Sequence, residues 1–130
     1  MLVRRLTDAP VQDWHQLSTR ILMDAGELGS RQMTITCIEV PPGVEQSLHS
    51  HEEAEQAYIV LRGVATLTAA GDSEEMSQGD LALIPPASDH TLANHGDEEV
   101  ALVSVQSPPV SVEETFGRQR EVEHYEEEEF

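Results

Sequence analysis

The sequence predicts an all-β domain, a sandwich or closed barrel, on three observations. Short apolar runs recur at roughly ten-residue spacing from Gln32 onward. Glycine or proline stops most of them. No stretch carries a sustained helical period. Six or more short strands with frequent turn signals are what two packed or closed sheets require.

The elements follow in order. Residues 1–30 are mixed. Scattered apolar positions (Val11, Trp14, Leu17, Ile21, Leu22) fit a short helix or an edge strand packing on the rest. Trp14 reads as a packing anchor and His15 as a structural neighbour. From Gln32 the period becomes two: Met33, Ile35 and Cys37 alternate with Gln32, Thr34 and Thr36, the mark of a strand. Pro41, Pro42 and Gly43 end it. Ala57 to Leu61 is a second run, stopped by Arg62 and Gly63. Val64 to Ala69 alternates again, and Gly71-Asp72 predicts a hairpin turn. Leu81 to Ile84 follows the Gln78-Gly79-Asp80 turn and stops at Pro85-Pro86. Thr91-Leu92 and Val100 to Val105 supply the last strands. The barrel is therefore expected over 31–110. Residues 111–130 form an acidic tail ending in four glutamates and Phe130, a composition that is usually solvated. Val112, Phe116 and Val122 offer docking points within it. His124 reads as a solvated residue of the tail.

Composition excludes several functions. Lys and Arg number 7 against 25 Asp and Glu, for a formal charge of −18 over 130 residues. Phosphate backbones need a basic footprint, so nucleic acid is excluded as a partner. Anionic membrane surfaces are disfavoured for the same reason. No apolar run approaches a membrane span. Met1 to Leu6 begins with charge and has no apolar stretch behind it, so no signal peptide is expected. One cysteine, Cys37, permits no intrachain disulfide. It fits a reducing, cytoplasmic setting.

Three histidines carry the chemistry. His49 and His51 are two apart, and residues i and i+2 of an extended strand share a face. His-Ser-His can thus aim two imidazoles at one point. His90 closes a later apolar segment. No G-x-S-x-G elbow, phosphate loop or nucleophilic triad pattern is present.

These residues sit in two segments that resemble the motifs of the cupin superfamily. The first motif, G-x5-H-x-H-x3,4-E-x6-G, is matched at Gly43, His49, His51 and Gly63. The second, G-x5-P-x-G-x2-H-x3-N, is matched at Gly79, Pro85, His90 and Asn94, with Ala87 where the family often has glycine. The resemblance implies a double-stranded β-helix, the jelly-roll cupin barrel, over roughly residues 30–106. It also implies a divalent transition metal on His49, His51 and His90. Neutral imidazoles suit Fe, Mn, Ni, Cu, Co and Zn. Ala87 would be strained if that position needs a positive φ.

The fourth ligand has two candidates. The family's glutamate follows His51 after three or four residues. Four residues put Gln56 there, and the six-residue gap to Gly63 then fits. Three put Glu55 there, with a gap of seven. Parity sends Gln56, Tyr58 and Val60 to one face and Glu55, Ala57, Ile59 and Leu61 to the other. The register favours Gln56, and a bulge would bring in Glu55 instead. Glutamate would leave a divalent site near +1, and glutamine would leave it near +2.

Tyr58 on the inward face is a candidate hydrogen-bond donor to a ligand. Met33, Ile35, Val60 and Leu83 are candidate pocket residues. Cys37 reads as a small core residue and His95 as a loop residue. The apolar face of Ala57, Ile59 and Leu61 fits a homodimer, as cupins commonly form. The resemblance implies a small-molecule ligand and allows dioxygenase, isomerase or cyclase, and lyase chemistry. A barrel that binds or senses a small molecule without turnover is the alternative. A structural barrel with a vestigial site is the third reading.

Overall fold

The computed structural model describes residues 1–14, 16–24, 30 and 32–109. His15, the Trp14 side chain and the acidic tail with Val112, Phe116, Val122 and His124 lie outside the described residues. Among those described, nine strands follow a single 3₁₀ turn at Leu6–Asp8. They are β1 (Val11–Trp14), β2 (Leu17–Met23), β3 (Thr34–Val40), β4 (Glu55–Arg62), β5 (Ala65–Ala69), β6 (Asp72–Met76), β7 (Leu81–Ile84), β8 (His90–Ala93) and β9 (Val100–Ser107).

Two antiparallel sheets face each other. One has the order β1-β2-β3-β9-β4-β7 and the other β6-β5-β8. The segment before β4 extends the smaller sheet along β8, through bridges Glu45↔Ala93 and His49↔His90. This is the double-stranded β-helix that the motifs imply. The N-terminal residues resolve into strand rather than helix: β1 is the edge and β2 pairs with β3.

The alternation on β4 runs as expected. Gln56, Tyr58 and Val60 are buried, while Ala57 and Ile59 are partly buried and Glu55 and Leu61 exposed. On β3 the inward set is Thr34, Ile38 and Val40. Ile38, Val40, Tyr58, Val60, Ile84, Leu92, Val100 and Leu102 pack with Leu17, Ala65, Leu67 and Met76 as the core between the sheets. Each such side chain contributes about 1.5–3 kcal/mol of burial, so this cluster dominates the stability.

The turns carry the required backbone. Ala69 pairs with Asp72 across a two-residue loop. Both loop residues have positive φ, Ala70 at 52° and Gly71 at 83°, as a type I′ hairpin needs. Gly63 has a second reason to be glycine. A Cβ there would lie 2.7 Å from the Glu99 carbonyl oxygen, where the β4–β5 corner crosses the start of β9. Asn94, the last residue of the second motif, is a staple. Its Nδ2 donates to Val40 O at 2.9 Å and Glu98 O at 2.7 Å, and its Oδ1 accepts from Gly96 N–H at 2.9 Å. One amide thus joins β3, the end of β8 and the approach to β9.

Candidate metal centre

Register brings the histidines together. His49 and His90 exchange backbone hydrogen bonds, His90 N–H to His49 O at 2.8 Å and His49 N–H to His90 O at 3.1 Å. Directly opposed residues place their side chains side by side, and the two ring centroids are 4.2 Å apart. His51 joins them at 5.3 Å from His49 and 5.6 Å from His90. One ring nitrogen from each histidine lies within 4.8 Å of the others. A metal with bonds of about 2.1 Å needs adjacent ligand atoms about 3 Å apart, so the rings would draw closer to hold one. All three imidazoles are buried.

The tautomers are fixed from behind. His49 Nδ1–H donates to Ser47 O at 2.8 Å, and His90 Nδ1–H donates to Ser88 O at 2.9 Å. A carbonyl accepts only, so each ring keeps its proton on Nδ1 and presents an Nε2 lone pair. Backbone partners of this kind orient metal-binding histidines. Burial also keeps the rings neutral. It pushes His49 down to about 3, with His90 adding to the effect and the Ser47 hydrogen bond opposing it. Burial likewise lowers His90, against the Ser88 hydrogen bond and the Asp89 charge.

The loop of the second motif braces the site. Ala87 N–H donates to His51 O at 2.7 Å. To do so Ala87 takes φ 63°, the left-handed conformation the family's glycine adopts without cost. The strain expected from the sequence is therefore present.

Gln56 is buried and Glu55 exposed on the opposite face. The Gln56 amide donates from Nε2 to Ser104 Oγ at 2.7 Å and turns its Oε1 to His90 Nε2 at 2.8 Å. His90 has committed its proton to Ser88, so two lone pairs face each other across that gap. A cation between them removes the conflict. Turned over about its last bond, the same amide donates to His90 Nε2 and accepts from Ser104. The donor set therefore fits a metal ion: three neutral imidazoles with a carbonyl oxygen beside them.

Other candidate residues fall in different places. Tyr58 is wholly buried, its ring centroid 6.0 Å from that of His90. Its hydroxyl has no hydrogen-bond partner among the described residues. Burial raises the phenol above its ordinary range; the nearby Gln56 amide opposes this without forming a bond of good geometry. The hydroxyl thus stays a neutral donor. Val60 belongs to the apolar core. Met33 is exposed and Ile35 only partly buried, and the buried residue between them is Thr34. The pocket expectation for this pair is corrected: β3 turns Thr34 inward. Leu83 is 57% exposed, and its neighbour Ile84 is the inward residue. Cys37 is buried opposite Arg20 and Val103, and burial raises its thiol. His95 is an exposed loop residue.

Sequence reading missed Gln106, Ser104, Gln46 and Thr34, all buried. Gln106 Nε2 donates to His51 Nε2 at 2.9 Å. Gln106 lies directly opposite Gln56, and Ser104 opposite Tyr58. The alternation Val103-Ser104-Val105-Gln106 was a usable signal. The parity shared with β4 would have placed the polar pair inside.

Among the described residues no helix is long and apolar enough to cross a membrane, which leaves strand-built spans untouched. The Cupin domain family model matches residues 36–106. An uncharacterized protein of Methanocaldococcus jannaschii is 33% identical over 76 residues, 58% of this chain and 61% of that protein. The chain spans less than two thirds of the curated relatives it matches. The polyketide cyclase RemF from Streptomyces resistomycificus superposes with a TM-score of 0.72 at 25% identity, covering 85% of this chain and 84% of RemF. A predicted oxalate decarboxylase from Thermotoga maritima superposes with a TM-score of 0.74 at 18% identity over 82% of this chain and 98% of that one, a likeness of fold. The family model spans more than half of the chain, both motifs fall within that match, and the chain belongs to the cupin superfamily.

Proposed function

We propose that this cupin is a metal-dependent enzyme acting on a small organic molecule inside the barrel, of isomerase or cyclase type or, with a redox metal, of dioxygenase type. His49, His51 and His90 would hold a divalent transition metal, with Gln56 Oε1 as fourth donor. The observation that carries this reading is the cluster of three buried imidazoles, each offering a ring nitrogen within 4.8 Å of the others, with the Gln56 amide 2.8 Å from His90 Nε2. The metal, when bound, would supply Lewis acidity or oxygen activation according to its identity. The chain's part is to hold the imidazoles neutral, to orient them through Ser47 and Ser88, and to keep water from the buried site. The likeness to a polyketide cyclase supports the cyclase reading.

A second reading has its own support. The buried polar side chains of the described interior are imidazoles, amides and hydroxyls. None is a conventional general base once the histidines are occupied. A barrel that holds its ligand without turnover fits that inventory. Protein reconstituted with each metal, incubated with small polycarbonyl and enolic compounds, separates the readings. Product formation supports the enzyme, and concurrent oxygen uptake assigns dioxygenase chemistry. Saturable binding without product supports the binding module.

We further propose a homodimer of a cytoplasmic protein, with 31–110 as the barrel, 1–30 as an accessory and 111–130 as a tail. The outer face of the large sheet supports the dimer. Leu83, Ala57, Val105 and Ile35 form one row of cross-strand neighbours, and Leu81, Ile59, Val103 and Cys37 the next. A Leu81→Glu/Leu83→Glu variant should run at half the wild-type mass by light scattering. An unchanged mass would sink this interface.

A further inference from the structure

Metal binding at His51 has a consequence for Gln106. In the structure the Gln106 amide N–H donates to the His51 Nε2 lone pair at 2.9 Å. If a metal takes that lone pair, the amide must turn elsewhere. Gln106 is 4% exposed, so bulk water does not satisfy it. The Tyr58 hydroxyl is a second donor, wholly buried and without a hydrogen-bond partner among the described residues. The two stand on adjacent strands with the same inward parity: Gln106 opposes Gln56 and Tyr58 opposes Ser104. A buried donor left unpaired is costly, and both lie on the patch that carries the Gln56 and His90 contacts.

Charge points the same way. Three neutral imidazoles and a neutral amide leave a divalent ion at +2. Every buried polar residue of the described interior is uncharged. An uncompensated charge of that size in a buried site is disfavoured, which favours a bound molecule that brings negative charge over a neutral one. The exposed Glu52, Glu53 and Glu55, close in sequence to His51, act against an anion. Their field is screened over a Debye length of about 8 Å at physiological salt. The ion inside is screened far less.

We infer, resting on the metal reading above, that the site takes an anionic ligand bound through oxygen, and that Gln106 and Tyr58 are the donors that hold its oxygen atoms. Gln106 changes partner on metal binding, from His51 to the ligand. Tyr58 supplies the second hydrogen bond from below His90. A carboxylate, an enolate or a hydroxamate meets this description, and a neutral nitrogen ligand does not.

The test uses untagged full-length protein loaded with cobalt(II), with metal content measured first for each variant. Acetohydroxamate, an anionic two-oxygen chelator, and imidazole, a neutral nitrogen ligand, are titrated separately and followed by the cobalt absorption bands. Gln106→Leu and Tyr58→Phe, each carrying a full complement of cobalt, should bind acetohydroxamate about tenfold or more weakly, as expected for loss of a hydrogen bond to a charged group. Their imidazole affinity should match the wild type. Gln106→Glu should lose still more hydroxamate affinity, because it places a like charge beside the ligand. Unchanged hydroxamate affinity in both variants overturns the inference, as does equal loss of both probes. Failure of the wild type to take up cobalt overturns the metal reading itself, and this inference with it. Gln106→Leu keeping the volume and Tyr58→Phe keeping the ring guard against a folding defect, which loss of cobalt in these variants alone would expose as a structural role.

Discussion

On β9, Val100 and Leu102 are wholly buried in the apolar core, while Ser104 and Gln106 on the same face are buried beside the histidines. The other strands repeat the gradient. β4 passes from Val60 through Tyr58 to Gln56, and β3 from Val40 and Ile38 to Thr34. The two halves of the interior share strands, register and degree of burial. They differ in what the side chains gain from burial. The apolar half gains transfer free energy. The polar half is satisfied through hydrogen bonds in part: among the described residues the Tyr58 hydroxyl and Gln46 Oε1 have no partner, and the Gln56 amide lies against His90 Nε2 at 2.8 Å. Stability is concentrated at one end of the barrel and unmet bonding capacity at the other. That division is expected when a site is held at the expense of stability.

The largest expected effect lies in the apolar half. Leu102→Ala should cost about 2–5 kcal/mol in denaturant unfolding, with metal stoichiometry unchanged in the protein that remains folded. Ser104→Val, two residues along the same strand, should cost less, about 1 kcal/mol, by leaving the buried Gln56 amide without its acceptor. If Ser104→Val were as damaging as Leu102→Ala, the division between the halves would be lost.

Acid should separate the halves next. His49 is held near 3 in the fold and titrates near about 6.5 when unfolded. Between those values the unfolded chain binds more protons, so stability of the metal-free protein falls as pH falls. Above about pH 7 both states are neutral there and the dependence vanishes. The slope is at most about 1.4 kcal/mol per pH unit for one histidine. Thermal unfolding from about pH 7.5 to 5.5, above the carboxylate range, should show this slope, flattened in His49→Asn. A flat wild-type profile would contradict the burial assigned to this ring.

The smallest effect concerns the brace. Ala87→Gly relieves the left-handed strain but adds freedom to the unfolded chain. The net gain should stay below about 1 kcal/mol, read as a small rise in melting temperature. Ala87→Val should instead lower the melting temperature and loosen the Ala87–His51 contact. A stabilising Ala87→Val would mean that the φ of 63° is not required.

Much of this was legible in the sequence because glycines, prolines and histidines announce their roles. The motif spacings implied the barrel, and the Gln56 parity placed the amide on the buried face. The polar half was harder to read. Thr34, Ser104 and Gln106 alternate with Ile35, Val103 and Val105, and the pattern looks like a strand with its polar side in water. Met33 and Ile35 were expected inside for that reason. The large sheet carries apolar residues on its outer face as well, so period two established strands without saying which face was inner. Pairing register resolves the ambiguity, since Gln106 opposes both Thr34 and Gln56.

Whether the polar half of the barrel is a metal site can be read from elemental analysis of untagged, freshly purified protein. Close to one transition-metal ion per chain is expected, lost in His49→Ala/His90→Ala, weakened in Gln56→Ala and retained in Glu55→Ala. No metal as purified and none after reconstitution would contradict this expectation, and so would a bound metal that survives removal of both histidines.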